Sequence, residues 1–131
     1  LEFRRVLFRS SVFFTHEENL DIPANTDGFA LGPWFQVSVQ VIDLETLLAQ
    51  NLWEEGSEFL ISRNDVMING MEGIRVVTTA AGAAGEVLHY VFNPDEERVF
   101  TLSQYPYEPG SEDTDDFERA VGTFMPNYTG N

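Results

Sequence analysis

The stretch EFLISRNDVMINGMEGIRVVTTAAGAAGEVLHYVFNPDEERVFTLSQY, residues 58–105, decides the fold, because it is strand-like along most of its length. β-Branched and aromatic residues recur in four runs, which are separated by NG, AAGAAG and NPDEE. Asn69 and Gly70 tolerate the positive φ that a tight hairpin turn requires, and Pro94 presets φ in a later turn. The stretch therefore predicts four antiparallel strands in meander order.

A strand and a helix are predicted before this meander. In FQVSVQVI, residues 35–42, apolar and polar residues alternate, which indicates a strand with one solvated face. Asp43 is a good N-cap, and the following leucines lie near helical spacing until Gly56, which favours a stop. We expect a helix over residues 44–55, with Leu52 and Trp53 in the core.

A second helix is predicted near the end of the sequence. In FERAVGTF, Phe117, Ala120, Val121 and Phe124 lie on one face of a helix, and Pro126 ends it. We expect this helix over residues 114–124. With the meander it gives an α+β fold, in which an antiparallel sheet is flanked by two helices.

This order of elements resembles that of a known family. A strand, a helix, a meander containing NGMEGIRVVTT and YVFNPDEERVFTLSQ, and the closing FERAVGTF resemble the C-terminal two-thirds of PsbP-like domains, over residues 35–124. Phe117, Thr123 and Phe124 match the family's closing pattern. The resemblance implies an α/β/α sandwich, and a bacterial exported protein or lipoprotein that acts outside the cytoplasm or on a lipid anchor. It carries over no catalytic residues.

The first ten residues, LEFRRVLFRS, resemble the translation of a sequencing adapter. We therefore expect residues 1–10 to be an artefact that contributes nothing native, and residues 11–131 to form one domain. The family's opening hairpin is not recognisable, so we expect the domain to lack it and the true N-terminus to be missing. A short strand is predicted at Val12–Thr15, followed by a loop.

Charge and composition indicate which partners to expect. The 131 residues contain 22 acidic and 7 basic residues, for a net charge of −15, and the chain has neither lysine nor cysteine. Nucleic acid and anionic lipid are bound through cationic side chains, so we expect neither as a partner. Without cysteine there are no disulfides and no thiolate metal ligands. We expect no cofactor.

Few residues are candidates for chemistry. His89 lies in the strand-like run VLHYVF. Its imidazole either has a structural role or belongs to a functional site. The acidic run SEDTDD could supply oxygen ligands for calcium from Asp113, Asp115 and Asp116. The alternative is a helix start, capped by Ser111 or Thr114, whose first turn favours negative charge.

Two classes of function follow from these observations. The first is a noncatalytic binding or accessory module for an unknown protein or small-molecule partner. Its candidate binding residues are His89 and, in the loop QYPYEPG, the exposed aromatic side chains of Tyr105 and Tyr107 beside Pro106. A plain structural loop is the alternative for that segment. The second class is a small hydrolase or small-molecule enzyme with a carboxylate-based site.

Overall fold

The structure is a computed structural model that describes residues 3–8, 11–16, 33–80, 84–95 and 97–125, with side chains from residue 33 onward. These residues form an α+β fold, as predicted. The elements are β1 (Phe3–Phe8), β2 (Ser11–His16), β3 (Trp34–Val41), α1 (Leu44–Gln50), β4 (Leu60–Ile68), β5 (Met71–Thr79), β6 (Glu86–Phe92), β7 (Arg98–Tyr105) and α2 (Glu112–Val121).

All seven strands belong to one antiparallel sheet, in the order β1-β2-β3-β7-β6-β5-β4. The predicted meander is β4–β7. Its first turn has positive φ at both Asn69 (53°) and Gly70 (78°), as a two-residue hairpin turn requires. The next hairpin tip, residues 81–83, lies outside the described residues.

The N-terminal strands pair with β3. The short strand predicted at Val12–Thr15 is part of β2, which lies between β1 and β3. Strand β1 lies within the ten residues that resemble an adapter translation. The loop predicted between β2 and β3 falls on residues 17–32, outside the description.

The two helices cover opposite faces of the sheet, because each strand sends alternate side chains to opposite sides. On one face α1 packs over a cluster that includes Trp53 and three strands of the meander. On the other face α2 packs over a larger, more aromatic cluster. The first cluster is Leu47, Leu48, Trp53, Ile74, Val76, Val91 and Val99. The second is Val77, Leu88, Tyr90, Phe92, Phe100, Leu102, Phe117 and Val121.

Helix α1 ends five residues earlier than predicted, in a Schellman motif. The N–H of Leu52 donates to the carbonyl of Ala49 at 3.2 Å, and the N–H of Trp53 donates to that of Leu48 at 2.9 Å. Leu52 adopts the left-handed conformation, with φ of 61°, that glycine usually takes at this position. The prediction that Leu52 is in the core is wrong, since it is 51% exposed, whereas Trp53 is buried.

Helix α2 begins two residues before the predicted start and ends three residues before the predicted end. Ser111 is the N-cap, and its Oγ accepts from the N–H of Thr114 at 3.2 Å. Phe117 and Val121 are buried as expected, but Ala120 is exposed. Thr114 takes the remaining buried position, where its hydroxyl donates to Oε1 of Gln104 at 3.1 Å.

Candidate functional site

The imidazole of His89 lies at the centre of the sheet, on the face that α1 covers. Its backbone is opposite Ser103 on β7, and its Nδ1 lies 2.7 Å from Oγ of Ser103. Its Nε2 lies 3.1 Å from Oγ1 of Thr78 on β5. All three side chains are buried. Register across three strands therefore places one hydroxyl at each ring nitrogen.

Trp53 covers this imidazole from the α1 side. The two ring centroids are 4.2 Å apart, and the ring planes are inclined by 37°. The Schellman motif directs the chain so that Trp53 points to the sheet, and Nη1 of Arg63 donates to the Trp53 carbonyl at 3.3 Å. The helix end thus determines the position of the indole over His89.

The electrostatics of the site keep His89 uncharged. Burial in low-dielectric surroundings lowers the pKa of His89 from 6.5 to about 3. A neutral imidazole has one N–H donor and one acceptor nitrogen, so one of the two hydroxyls accepts a hydrogen bond and the other donates. At neutral pH the ring is a neutral polar group, far from the pKa that suits an acid or base catalyst.

A pocket of about 270 Å³ opens beside this imidazole. Most of its wall is apolar or aromatic, and the polar atoms of His89 and Thr78 lie at its floor. Trp34 stacks on Tyr105, with ring centroids 5.9 Å apart, and Phe59 at the rim is 37% exposed. The lining residues are Trp34, Asn51, Leu52, Trp53, Phe59, Thr78, Thr79, Val87 and His89.

The contact between Ser103 and His89 resembles part of a serine nucleophile and its base, but its surroundings differ from such a pair. In a catalytic triad a carboxylate holds the second nitrogen and stabilises the imidazolium. Here that nitrogen meets the hydroxyl of Thr78. Ser103 is only 4% exposed and lies within a paired strand. The arrangement supports binding rather than acyl transfer.

The predicted binding tyrosines do not share a surface. The prediction that Tyr105 is exposed is wrong, because it is 9% exposed and its hydroxyl donates to the Ala84 carbonyl at 2.7 Å. Tyr107 is half-buried, and its hydroxyl accepts from Nη2 of Arg75 at 3.0 Å. A cis peptide bond joins Tyr105 to Pro106. Of the predicted binding residues, His89 lines the pocket described above.

Asp113, Asp115 and Asp116 lie in the first two turns of α2, as the helix-start interpretation expected. Asp116 pairs with Arg119 at 2.9 Å. Within the described ranges, no group of three His, Cys, Asp or Glu side chains is placed to hold a metal ion.

Among the carboxylates of residues 33–95 and 97–125 that the structure describes, Asp43 and Asp95 have shifted pKa values, and both shift downward. Hydrogen bonds from the side chain and backbone of Thr46 lower the pKa of Asp43. Partial desolvation acts to raise the pKa of Asp95, but hydrogen bonds from Arg98 and Glu97 lower it overall. A catalytic carboxylic acid needs the opposite shift, so neither residue fits the carboxylate-based alternative.

A larger cavity of about 600 Å³ lies along β4 and β5 on the α1 face. Its rim carries the exposed side chains of Asp65, Met67 and Glu72, so much of it is in contact with solvent. Neither aromatic rings nor His89 line it. The remaining lining residues are Leu44, Val66, Gly73, Ile74, Val91 and Asn93.

The sequence analysis did not identify Trp34, Phe59, Thr78 or Ser103 as site residues. Trp34 lies on β3, Thr78 on β5 and Ser103 on β7, whereas Phe59 lies in the segment before β4. Pairing between strands that are distant in sequence brings these residues near His89. The available signal was weak: Ser103 is a polar residue in the apolar run VFTLSQY, which indicates a buried hydrogen bond.

Comparison with known proteins shows the fold but no function. No family model matches the chain, and neither does any curated protein. Among solved structures, the fold is similar to that of PA94 from Pseudomonas aeruginosa, a protein of unknown function described as a suspected regulator. The TM-score is 0.57 at 13% identity, and the match covers 98% of this chain and 100% of that one. In the described residues, neither helix is long and apolar enough to cross a membrane.

Proposed function

We propose that this protein is a noncatalytic binding module that takes a neutral, apolar group into the pocket beside His89. The observation that carries the proposal is the stack of Trp53 on the buried, uncharged His89 at a pocket whose rim keeps Phe59 and Leu52 partly exposed. Rigid aromatic walls around a few fixed polar atoms are typical of binding sites.

The size of the pocket limits the ligand. Its volume of about 270 Å³ is slightly below the range of about 300–1,000 Å³ that drug-sized ligands occupy. One aromatic ring or one branched aliphatic side chain fits this volume. Thr78, which lines the pocket beside His89, offers its hydroxyl for one hydrogen bond to such a group, whether a small molecule or a partner's side chain supplies it.

Charge restricts the ligand further. The pocket's imidazole is neutral at physiological pH, and the protein carries a net charge of −15. An anionic group would be repelled by the surface and would meet no cation among the residues that line the pocket. A neutral ligand, or an apolar side chain on a neutral or basic partner, is therefore favoured. The PsbP-like resemblance is compatible with this proposal, because it implies helices on both faces of the sheet and carries over no catalytic residues.

The two tryptophans of the chain, Trp34 and Trp53, both line the pocket, so their indole N–H signals in NMR spectra report its occupancy directly. We expect benzyl alcohol and N-acetylphenylalanine amide to shift both signals in a saturable manner, and benzoate to leave them in place. Benzyl alcohol represents a free small molecule and the amide represents a protein side chain. The probe that binds more tightly indicates whether the ligand is a free small molecule or the side chain of a partner protein.

Two variants control this experiment. Phe59→Ala removes one wall and should weaken binding at least fivefold, whereas Met125→Ala removes an exposed apolar side chain outside the pocket and should have no effect. If neither neutral probe gives a saturable shift up to its solubility limit, or if the two variants act equally, the pocket is not the binding site.

A further inference from the structure

Strand β4 is an edge of the sheet. It is last in the strand order, and among the described strands it pairs only with β5. It is nine residues long, and it exposes Ile61 by 48% and Met67 by 62%. A long edge strand with exposed apolar side chains is a template for pairing with another strand.

The sequence of β4 is complementary to itself when it is reversed about Asn64, the midpoint of the strand. In a two-fold symmetric antiparallel pair, each residue i faces a residue j, and j faces i. With Asn64 opposite its own copy, Ser62 faces Val66, and Arg63 faces the oppositely charged Asp65. Leu60 does not extend this pairing, because it packs with the cluster under α1 whereas Ile68 packs with the cluster under α2.

Neighbouring registers are less favourable. The two-fold axis is perpendicular to the sheet, so it keeps each side chain on the same face of the sheet. Opposite residues must share a face, and faces alternate along a strand, so the two paired residue numbers are both odd or both even. Only registers that place one residue opposite its own copy meet this condition. A centre at Arg63 opposes two arginines, and a centre at Asp65 opposes two aspartates. Like charges directly opposite each other are destabilising.

The charged side chains of β4 are available for this pairing. Arg63 and Asp65 lie on the α1 face, opposite Val76 and Ile74 of β5. Asp65 is exposed and has no hydrogen-bond or ion-pair partner within residues 33–125 as far as these are described. Arg63 uses Nη1 for the Trp53 carbonyl, which leaves its other guanidinium N–H groups for an opposite carboxylate.

One irregularity limits the length of the pairing. The register of β4 against β5 shifts between Leu60 and Ser62, which makes Ile61 a bulge. Regular pairing would therefore run from Ser62 to Val66 and include both Arg63–Asp65 contacts.

We propose that a second copy of this chain docks on β4, antiparallel and centred on Asn64, so that the sheet continues across a two-fold axis with reciprocal Arg63–Asp65 pairs. The partner is a second copy because the complementarity lies within one strand. The proposal is independent of the pocket beside His89, which β4 does not line.

Charge reversal tests the pairing on the full chain by sedimentation equilibrium. We expect a concentration-dependent dimer. Asp65→Arg places an arginine opposite Arg63 of the other copy, so the dissociation constant of the dimer should rise at least tenfold. The exchange of both residues, Arg63→Asp with Asp65→Arg, should restore most of it, and Glu72→Arg on β5 should not matter. Circular dichroism checks that each variant is folded. A monomeric chain, or a dimer that Asp65→Arg does not weaken, overturns the proposal.

A cross-link tests the register. Because the chain has no cysteine, Asn64→Cys introduces a single thiol. A short bis-maleimide should join two copies through this thiol, whereas the Glu97→Cys variant, whose thiol lies exposed in the turn before β7, should remain monomeric on a denaturing gel. If the Glu97→Cys variant cross-links and the Asn64→Cys variant does not, the interface lies elsewhere and the proposal is overturned.

Discussion

The indole of Trp53 stacks on the imidazole of His89 with their ring centroids 4.2 Å apart, which joins the end of α1 to the centre of the sheet. The indole covers one face of the imidazole, and the burial of this ring lowers the pKa of His89, so that it remains neutral. Packing and protonation are therefore linked at this one contact, and each can be measured through the other.

His89 should make stability depend on pH in acid solution. Its pKa is about 3 in the folded protein and 6.5 in an unfolded chain, so between these limits the unfolded chain binds a proton that the folded protein does not. This contribution is fully present above pH 6.5 and is lost as pH falls toward 3, at about 1.4 kcal/mol per pH unit. Denaturant melts of the wild type and His89→Gln from pH 7 to 4 isolate it, because both share the same carboxylates. If the free energies of unfolding of the two proteins change in parallel with pH, the lowered pKa of His89 is contradicted.

The end of α1 should be more stable with glycine at position 52. Leu52 holds a φ of 61°, a conformation that costs a residue with a Cβ about 1–2 kcal/mol relative to glycine. Leu52→Gly and Leu52→Ala both remove the leucine side-chain contacts. The difference between their free energies of unfolding therefore reports the cost of the backbone conformation. We expect the glycine variant to be more stable than the alanine variant by about 1 kcal/mol in urea melts. Equal midpoints would mean that Leu52 is not held in the left-handed region.

Gly73 should not tolerate a side chain. A Cβ there would lie 2.7 Å from Cδ1 of Phe92 and 2.8 Å from the carbonyl oxygen of Val91, and the latter is backbone that cannot move easily. We expect Gly73→Ala to lower the free energy of unfolding by about 1–3 kcal/mol. Gly122→Ala is the control, because its Cβ would approach nothing closer than 3.4 Å, and it should change stability by less than about 0.5 kcal/mol.

The apolar face of α2 should account for most of its contribution to stability. Phe117 is buried and packs against Phe35, with ring centroids 5.0 Å apart, so Phe117→Ala should cost about 3–5 kcal/mol. Ala120, which the sequence pattern placed on the same face, is exposed, so Ala120→Gln should cost less than about 0.5 kcal/mol. A large loss with Ala120→Gln would show that the helix is rotated.

Salt should stabilise the protein gradually. A net charge of −15 weakens the folded state by self-repulsion, and sodium chloride between about 0.1 and 1 M screens it. We expect the Tm to rise smoothly over that range, and millimolar calcium at constant ionic strength to add no saturable step. A saturable calcium response that Asp115→Asn removes would instead support the calcium interpretation of Asp113, Asp115 and Asp116.

Much of the fold could be predicted from local patterns, and the site could not. Alternating residues and the Asn69–Gly70 turn identified the meander because strand period and positive φ are properties of neighbouring residues. Leu52 was misplaced because helical spacing continues past Gln50, whereas the Schellman hydrogen bonds end the helix there. Tyr105 was misplaced because YPY is typical of a loop, although β7 extends to Tyr105. The partners of His89 depend on register between strands, which no short pattern encodes.

The pairing of β3 with β7 has a consequence for the folding pathway. Each hairpin of the meander joins neighbours in sequence, but Val41 pairs with Arg98, 57 positions further on, across α1 and the first three strands of the meander. Closing so long a loop costs chain entropy before any contact offsets it, so local hairpins form faster. We expect β4–β7 to gain amide-exchange protection first and β3 to dock late. Refolding should therefore be slow for a chain of this length, with its rate determined by the return of β3 to β7.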